Sequence, residues 1–282
     1  MIEATTTLTR AAGYCWMMRI FVEGAGLIGP GLCGWQASRP LLAGATTYVH
    51  APTVVIASEL LPPAERRRVG IPVKLALAAG CEALLHAARD ATATASVFTS
   101  SQGDGENLHQ ICEALATTER NISPTRFHNS VHNAPAGYWS IATRSRKPST
   151  SLCGHDSSFA AGLLDAAVQV VVDANPVVLI AYDQAYPEPL HTIRPINASF
   201  GMAMVLTPQA TRQSFATLDI HFGPRQESET RMQNSGLEAL RSGVPAARSL
   251  PLLGALARKA TESVVIDCPA GNQLRIAVTP CC

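Results

Sequence analysis

From Pro148 to Ala167 the chain reads PSTSLCGHDSSFAAGLLDAA. Ser149 to Leu152 is a short β-leaning run, and Gly154-His155-Asp156 makes a tight corner. Phe159, Leu163, Ala167 and Val171 then recur every four residues, as on a helix face. The stretch predicts a strand-to-helix elbow. Such a corner presents one side chain at a helix mouth, where unpaired backbone N–H groups and the helix dipole favour negative charge. A reactive thiolate gains from the same donors, but here the corner residue is Asp156.

The totals narrow the function classes. With 282 residues, 47% of them hydrophobic and 15% charged, the chain has core material for one large domain or one and a fraction. A net charge of +1 and 5% aromatic residues leave no electrostatic footprint or stacking platform for nucleic acid. Eight cysteines (Cys15, Cys33, Cys81, Cys112, Cys153, Cys268, Cys281 and Cys282) are scattered without CxxC or metal-finger spacing. A reduced, cytoplasmic protein is the expectation. The N-terminus lacks the basic start and apolar core of a signal peptide. The longest apolar runs are too short for a membrane span and are broken by Asp173, Asn175 and Asp183.

Residues 1–16 carry no periodicity and are expected to be a disordered or misassigned extension, with Met17 or Met18 the more natural start. A strand begins at Arg19-Ile20-Phe21-Val22 and runs into Gly24-x-Gly26, Gly29 and Pro30-Gly31. Pro30 blocks the helix that a dinucleotide fingerprint needs, so the glycines read as a turn. Helix pattern covers Pro62 to Ala88 in two pieces, and a strand Ala95–Thr99 precedes a helix from about Glu106 to Ala116. Val177 to Asp183 is almost wholly apolar, as in a sheet buried on both faces. Met202–Leu206 and Phe215–Phe222 read as strands, followed by a polar linker and a helix around Leu250 to Ala260. A hairpin pairing Ser263–Asp267 with Gln273–Val278 closes the chain.

The elbow resembles the nucleophile elbow of the β-ketoacyl synthases, members of the thiolase fold: Pro-Ser, three residues, a small corner, the nucleophile, Ser and an Ala/Gly-rich helix. On that pattern Asp156 stands where the family has its catalytic Cys. The early strand with Gly24-x-Gly26 and Pro30, the segment Ser123-Pro124, Asn133 and Ala136-Gly137, and the loop Arg194 to Gly201 carry the resemblance further. It spans Arg19 to Pro208, about one half of the family's architecture. The resemblance implies an α/β fold, a thiolase-like half with a mixed, mainly parallel sheet flanked by helices and a shortened C-terminal part. The expected organisation is residues 17–208 as a β-ketoacyl synthase-like N-terminal domain and 209–282 as a short C-terminal region. A half of this kind is expected to leave a large apolar face uncovered, and hence to self-associate.

Decarboxylative condensation needs a thiolate to hold the acyl chain and donors to stabilise an enolate, in that family two His. Both parts are lost here, since His221 is the only His after residue 200 and stands in no Gly-His context. Cys153, three residues before Asp156 on an odd step of the strand, is expected to face away from the corner. Asp156 itself reads as an N-cap for the elbow helix, accepting from Ser158 or Phe159.

The resemblance thus implies a catalytically silent subunit like the chain-length factors of aryl-polyene and type II polyketide pathways, with no cofactor. Its implied partners are an active β-ketoacyl synthase, as a heterodimer whose acyl tunnel it shapes in polyene or fatty-acid-like biosynthesis, and an acyl carrier protein. The implied interface and tunnel residues are Phe127, His128, Asn133, Tyr138, Trp139, Ser149, Thr150, Ser151 and Leu152. For the four aromatic and His positions, ordinary packing is the competing reading. Arg66, Arg67 and Arg68 read either as a solvated helix face or as a docking patch for the acidic carrier. His128 and His132 are four apart, but Asn129 stands where a zinc helix needs Glu, so no metal is expected. The alternative function is a stand-alone acyl-thioester transferase or hydrolase using His155, Asp156 and Ser157.

Overall fold

The structure, a computed structural model, describes residues 16–281. The expected N-terminal extension, Cys15 and Cys282 lie outside the described residues, except that Trp16 opens the first strand. In chain order the elements are β1 (Trp16–Gly29), β2 (Leu32–Cys33), α1 (Trp35–Leu42), α2 (Pro63–Arg66), α3 (Ile71–His86), β3 (Ala95–Thr99) and α4 (Gly105–Ala116). Next come α5 (Pro124–Asn129), α6 (Ala134–Thr143), β4 (Ser149–Leu152), α7 (Ser158–Asp173), β5 (Val177–Asp183), α8 (Leu190–Ile193) and β6 (Phe200–Thr207). The chain ends with β7 (Ala216–Pro224), α9 (Ser235–Gly243), α10 (Leu250–Arg258), β8 (Glu262–Cys268) and β9 (Asn272–Pro280).

The strands form one mixed sheet in the order β4-β3-β5-β6-β1-β7-β9-β8, with β2 paired to β1. Parallel pairing is confined to β3 with β4 and β3 with β5; the other pairings are antiparallel. The sheet is therefore not mainly parallel as expected. Helices join the codirectional strands β1 to β3, β3 to β4, β4 to β5 and β7 to β8, but of these pairs only β3 and β4 become neighbours. Antiparallel β6 is inserted between β5 and β1, and antiparallel β9 between β7 and β8.

Helices cover both faces. β5 shows the division by its period of two: Val178, Ile180 and Tyr182 pack with α3 and α6, while Val177, Leu179 and Ala181 pack with α7 and α10. Phe159, Leu163 and Ala167 are fully buried on α7, so the four-residue apolar spacing forms the inner face of that helix up to Ala167; beyond it the buried position is Val170, and the expected Val171 is half-buried.

Gly24 and Gly26 are not in a turn. They lie inside β1, and α3 packs directly on them: a methyl on Gly24 would fall on the Ala83 carbonyl oxygen, and one on Gly26 on that of Ala79. Ala79, Ala83 and Ala87, spaced by four, are the complementary small face of the helix and its C-terminal cap. The turn falls later, at Pro30-Gly31, where Gly31 has φ +65°.

β1 pairs with β7 over Trp16 to Val22 and with β6 over Phe21 to Ile28, with a register shift between Val22 and Gly24. Glu23 at this bulge is 1% exposed and is held by Arg89 and by the Thr211 hydroxyl. Past the bulge, side chains of α3 close the edge that β7 leaves. Ala25 N–H donates to His86 Nδ1 (3.0 Å), and Leu27 N–H to Glu82 Oε2 (2.8 Å). Burial, and then the Arg39 charge, hold His86 below its ordinary range, which keeps Nδ1 able to accept.

Residues 209–282 extend the same sheet. Ala216, Leu218 and Ile220 of β7 point into the core, whereas Thr217, Asp219 and His221 face outward beside Arg19 and Arg275. Arg19 makes a two-toothed pair with Asp219 (2.7 and 2.8 Å). The expected uncovered apolar face is therefore replaced by an alternating strand with a polar outer side. The stretch read as a polar linker contains α9, capped by the Asn234 side chain at Gly236 N and Leu237 N. Arg241 of α9 is buried between Glu229 and Glu238.

Candidate functional site

β3, β4 and β5 run parallel, so their C-terminal ends and following loops gather at one end of the sheet, where α/β folds place their sites. The 3₁₀ turn Pro245–Ser249 closes this end from the C-terminal region. Asp183, the last residue of β5, is buried and takes four donors: Ser100 Oγ (3.1 Å), Ser101 N (2.8 Å), Ser101 Oγ (2.7 Å) and Ala246 N (2.8 Å). Burial pushes its carboxyl up, against the pull of these hydrogen bonds. It joins the β3 loop, β5 and the 3₁₀ turn at one point.

The elbow forms as predicted in outline: β4, then Gly154, a 3₁₀ turn His155–Ser157, and α7. The sharp corner lies at His155, the residue with φ +53°, a conformation that costs a non-glycine residue energy but that His tolerates better than most. Because the 3₁₀ turn delays the helix to Ser158, Asp156 does not cap α7, contrary to expectation. Ser158 closes the turn instead, its hydroxyl accepting from Gly154 N (3.0 Å) and donating to His155 O (2.7 Å).

Asp156 turns toward two arginines. Its Oδ1 accepts from an Arg194 terminal nitrogen at 2.7 Å, and its Oδ2 lies 3.6 Å from an Arg248 terminal nitrogen. His155 Nδ1 stands 3.5 Å from the same Oδ1 that Arg194 holds, and the imidazole is largely exposed. Among the described residues no hydrogen bond joins Ser157 to His155, so the three residues of the alternative hydrolase do not form a relay. Cys153 donates to Ser101 O (2.9 Å), on a different partner from Asp156. The local sequence gives no sign of Arg194 or Arg248; both reach Asp156 from segments whose placement only the tertiary fold sets.

The other predicted site residues divide by exposure. Ser149, Thr150, Ser151 and Leu152 form β4, an edge strand paired on one side only. Phe127 is exposed, His128 stacks edge-on against Tyr138, and Asn133 precedes α6 without a side-chain cap. Tyr138 and Trp139 are buried; the Tyr138 hydroxyl donates to Asn129 Oδ1 (3.0 Å), and Trp139 meets Phe98 edge-on. Their contacts are those of core packing. Arg66 is spent on the Glu59 and Leu61 carbonyls, while Arg67 and Arg68 face solvent. Arg68, Lys74 and Arg126 border a polar cleft of about 360 Å³ that also holds Asp104 and Gln184.

His128 and His132 are not on one helix: His128 is in α5, and His132 follows it and meets Leu152 O (3.0 Å). Among the described residues no group of three or more His, Cys, Asp or Glu is placed to hold a metal. The six described cysteines make no disulfide. No helix among the described residues is long and apolar enough to cross a membrane.

Residues 35–264 match the family model described as beta-ketoacyl synthase, N-terminal domain, a span that runs well past Pro208. No curated protein matches the chain in sequence. The fold is similar to that of a ketosynthase (ApeO) in complex with its chain length factor (ApeC) from Xenorhabdus doucetiae. That likeness has 21% identity and a TM-score of 0.70 over 92% of this chain and 99% of the solved one. The ishigamide ketosynthase/chain length factor aligns with a TM-score of 0.70 at 15% identity, over 93% and 99% of the two chains. A type II polyketide complex of AntDE with its acyl carrier protein AntF gives 0.70 at 11%, over 94% and 99%. The elbow at the parallel-strand ends, the thiolase-like sheet and the family match together show that this chain belongs to the β-ketoacyl synthase family, through its N-terminal domain.

Proposed function

We propose that this chain is a catalytically silent subunit of the chain-length-factor type, which pairs with an active β-ketoacyl synthase and forms part of the wall of its acyl tunnel. The observation that carries the reading is the edge strand β4. Pro148 O and Leu152 O accept from β3, so by alternation the backbone groups of Ser149 and Ser151 point outward, unpaired. The strand has no charge and no internal proline, the usual guards of a free edge. Exposed Ile141 on α6 and Val168 and Val172 on α7 flank it on the two sides of the sheet. A partner strand added here continues the sheet and buries those side chains.

Silence follows from the corner. Asp156 offers no thioester chemistry, and its carboxylate is engaged by Arg194. The similar solved structures, named as ketosynthases with chain length factors and in one case an acyl carrier protein, support the partner assignment. A biosynthetic setting of the polyene or fatty-acid type and a location in the cytoplasm belong to the same reading. Arg67 and Arg68 remain the surface proposed for an acidic carrier protein. Phe127, on the exposed side of α5, is the proposed tunnel residue.

Co-expression with a candidate β-ketoacyl synthase is expected to give a stable heterodimer on gel filtration. Ser151→Pro removes one outward amide and leaves the ladder to β3 intact. The variant is expected to fold normally and to elute apart from the synthase. Turnover of acyl thioesters by the purified chain alone, lost on Asp156→Ala, would sink the proposal.

A further inference from the structure

Asp156, Arg194 and Arg248 form an arrangement that an inactive elbow does not require. The three residues come from three separate segments: the elbow turn, the loop between α8 and β6, and the 3₁₀ turn Pro245–Ser249 of the C-terminal region. The arginine side chains are only 22% and 23% exposed. Among the described residues Asp156 is the only acid paired with either of them. Each guanidinium faces a different carboxylate oxygen, Arg194 on Oδ1 and Arg248 on Oδ2. Donors exceed acceptors here, because Nε of Arg248 is buried without a partner. Two mostly buried cations around one carboxylate are the chemistry of a carboxylate-binding site.

The site is also open. The Asp156 side chain is 48% exposed and that of His155 70% exposed, so the carboxylate reaches the arginines from the solvent side. The same opening admits a small anion when that side chain is shortened.

We propose that Arg194 and Arg248 form a carboxylate-binding site at the elbow, and that Asp156 fills it from within the chain as a built-in ligand. The bound carboxylate clasps the C-terminal region and the loop before β6 onto the start of α7. With the Asp156 carboxylate removed, the site takes a small free carboxylate such as acetate in its place. This holds whether or not the chain pairs with a synthase, so its failure and that of the pairing proposal are read separately.

The test compares thermal melting in sodium acetate and sodium chloride at equal ionic strength and pH 7. Asp156→Ala is expected to melt about 2–4 °C below the unsubstituted chain in chloride and to recover at least half of that loss in acetate. The unsubstituted chain should melt alike in both salts. Asp156→Asn keeps the space filled and should stay insensitive to acetate. Adding Arg194→Ala to Asp156→Ala should abolish the recovery. Should Asp156→Ala fail to fold in chloride, its refolding yield gives the same discrimination, with a higher yield expected in acetate. Equal melting curves or equal yields in the two salts overturn the proposal, as does recovery that survives Arg194→Ala.

Discussion

Asp183→Ala is expected to lower the stability of the chain by about 3–5 kcal/mol, the largest loss among the substitutions considered. The reason is the number of groups one side chain satisfies. Ser101 N, Ala246 N and two serine hydroxyls all donate to it at 2.7–3.1 Å in a buried setting. A buried donor left without an acceptor costs about 1–3 kcal/mol. Alanine leaves four such donors; the hydroxyls can turn elsewhere, but the two backbone amides cannot. Denaturant unfolding measures the total, and amide exchange at Ala246 locates it: protection of the turn Pro245–Ser249 should fall before that of β5. Asp183→Asn preserves the shape and one acceptor oxygen, so it should lie between the two. A loss below about 1 kcal/mol for alanine would mean that water replaces the carboxylate.

Gly26→Ala is expected to cost about 1–3 kcal/mol or more, with Gly24→Ala close behind. The added methyl meets the backbone of α3 at Ala79, a group that no rotamer change can move aside. Relief requires the helix to lift from the sheet, which opens the packing of Leu75, Ala79 and Ala83 against Val205 and Ile180. Gly223 in β7 has open space where its Cβ would be, and Gly223→Ala serves as the control, expected within about 0.5 kcal/mol of the parent. Equal melting of Gly26→Ala and Gly223→Ala would show that α3 tolerates displacement at no cost.

These two sites differ in how far the sequence announces them. β3 and β5 coincide with their apolar runs, and the closing hairpin pairs the two runs expected, with Asp267 opposite Gln273. Strong periodicity and tight turns are local, so the sequence carries them openly. The glycines of β1 were ambiguous because the residue type signals only that space is short. Whether a turn or a neighbouring helix uses that space depends on α3, more than fifty residues away. α9 had a legible start in Asn234 and a stop before Pro245, but only Leu237 and Leu240 mark its apolar face, too few to stand out from a polar linker. At the elbow, the order strand, turn, helix was visible in the spacing of residues. The positive φ of His155 and the outward turn of Asp156 were not, because both depend on a 3₁₀ turn and on arginines from elsewhere in the chain.

β1 has a consequence for how the molecule is made. Its first half finds β7 only in the last third of the chain, and Arg19 and Asp219 are 200 residues apart. At a synthesis rate of about 5–20 residues per second, the N-terminal half of β1 waits roughly 10–40 s on the ribosome before its partner exists. During that interval Ile20 and Val22 have no β7 beside them, although β6 becomes available somewhat earlier. The nascent chain therefore carries an open strand edge through most of its synthesis, and this is a segment exposed to pairing with other chains until β7 emerges.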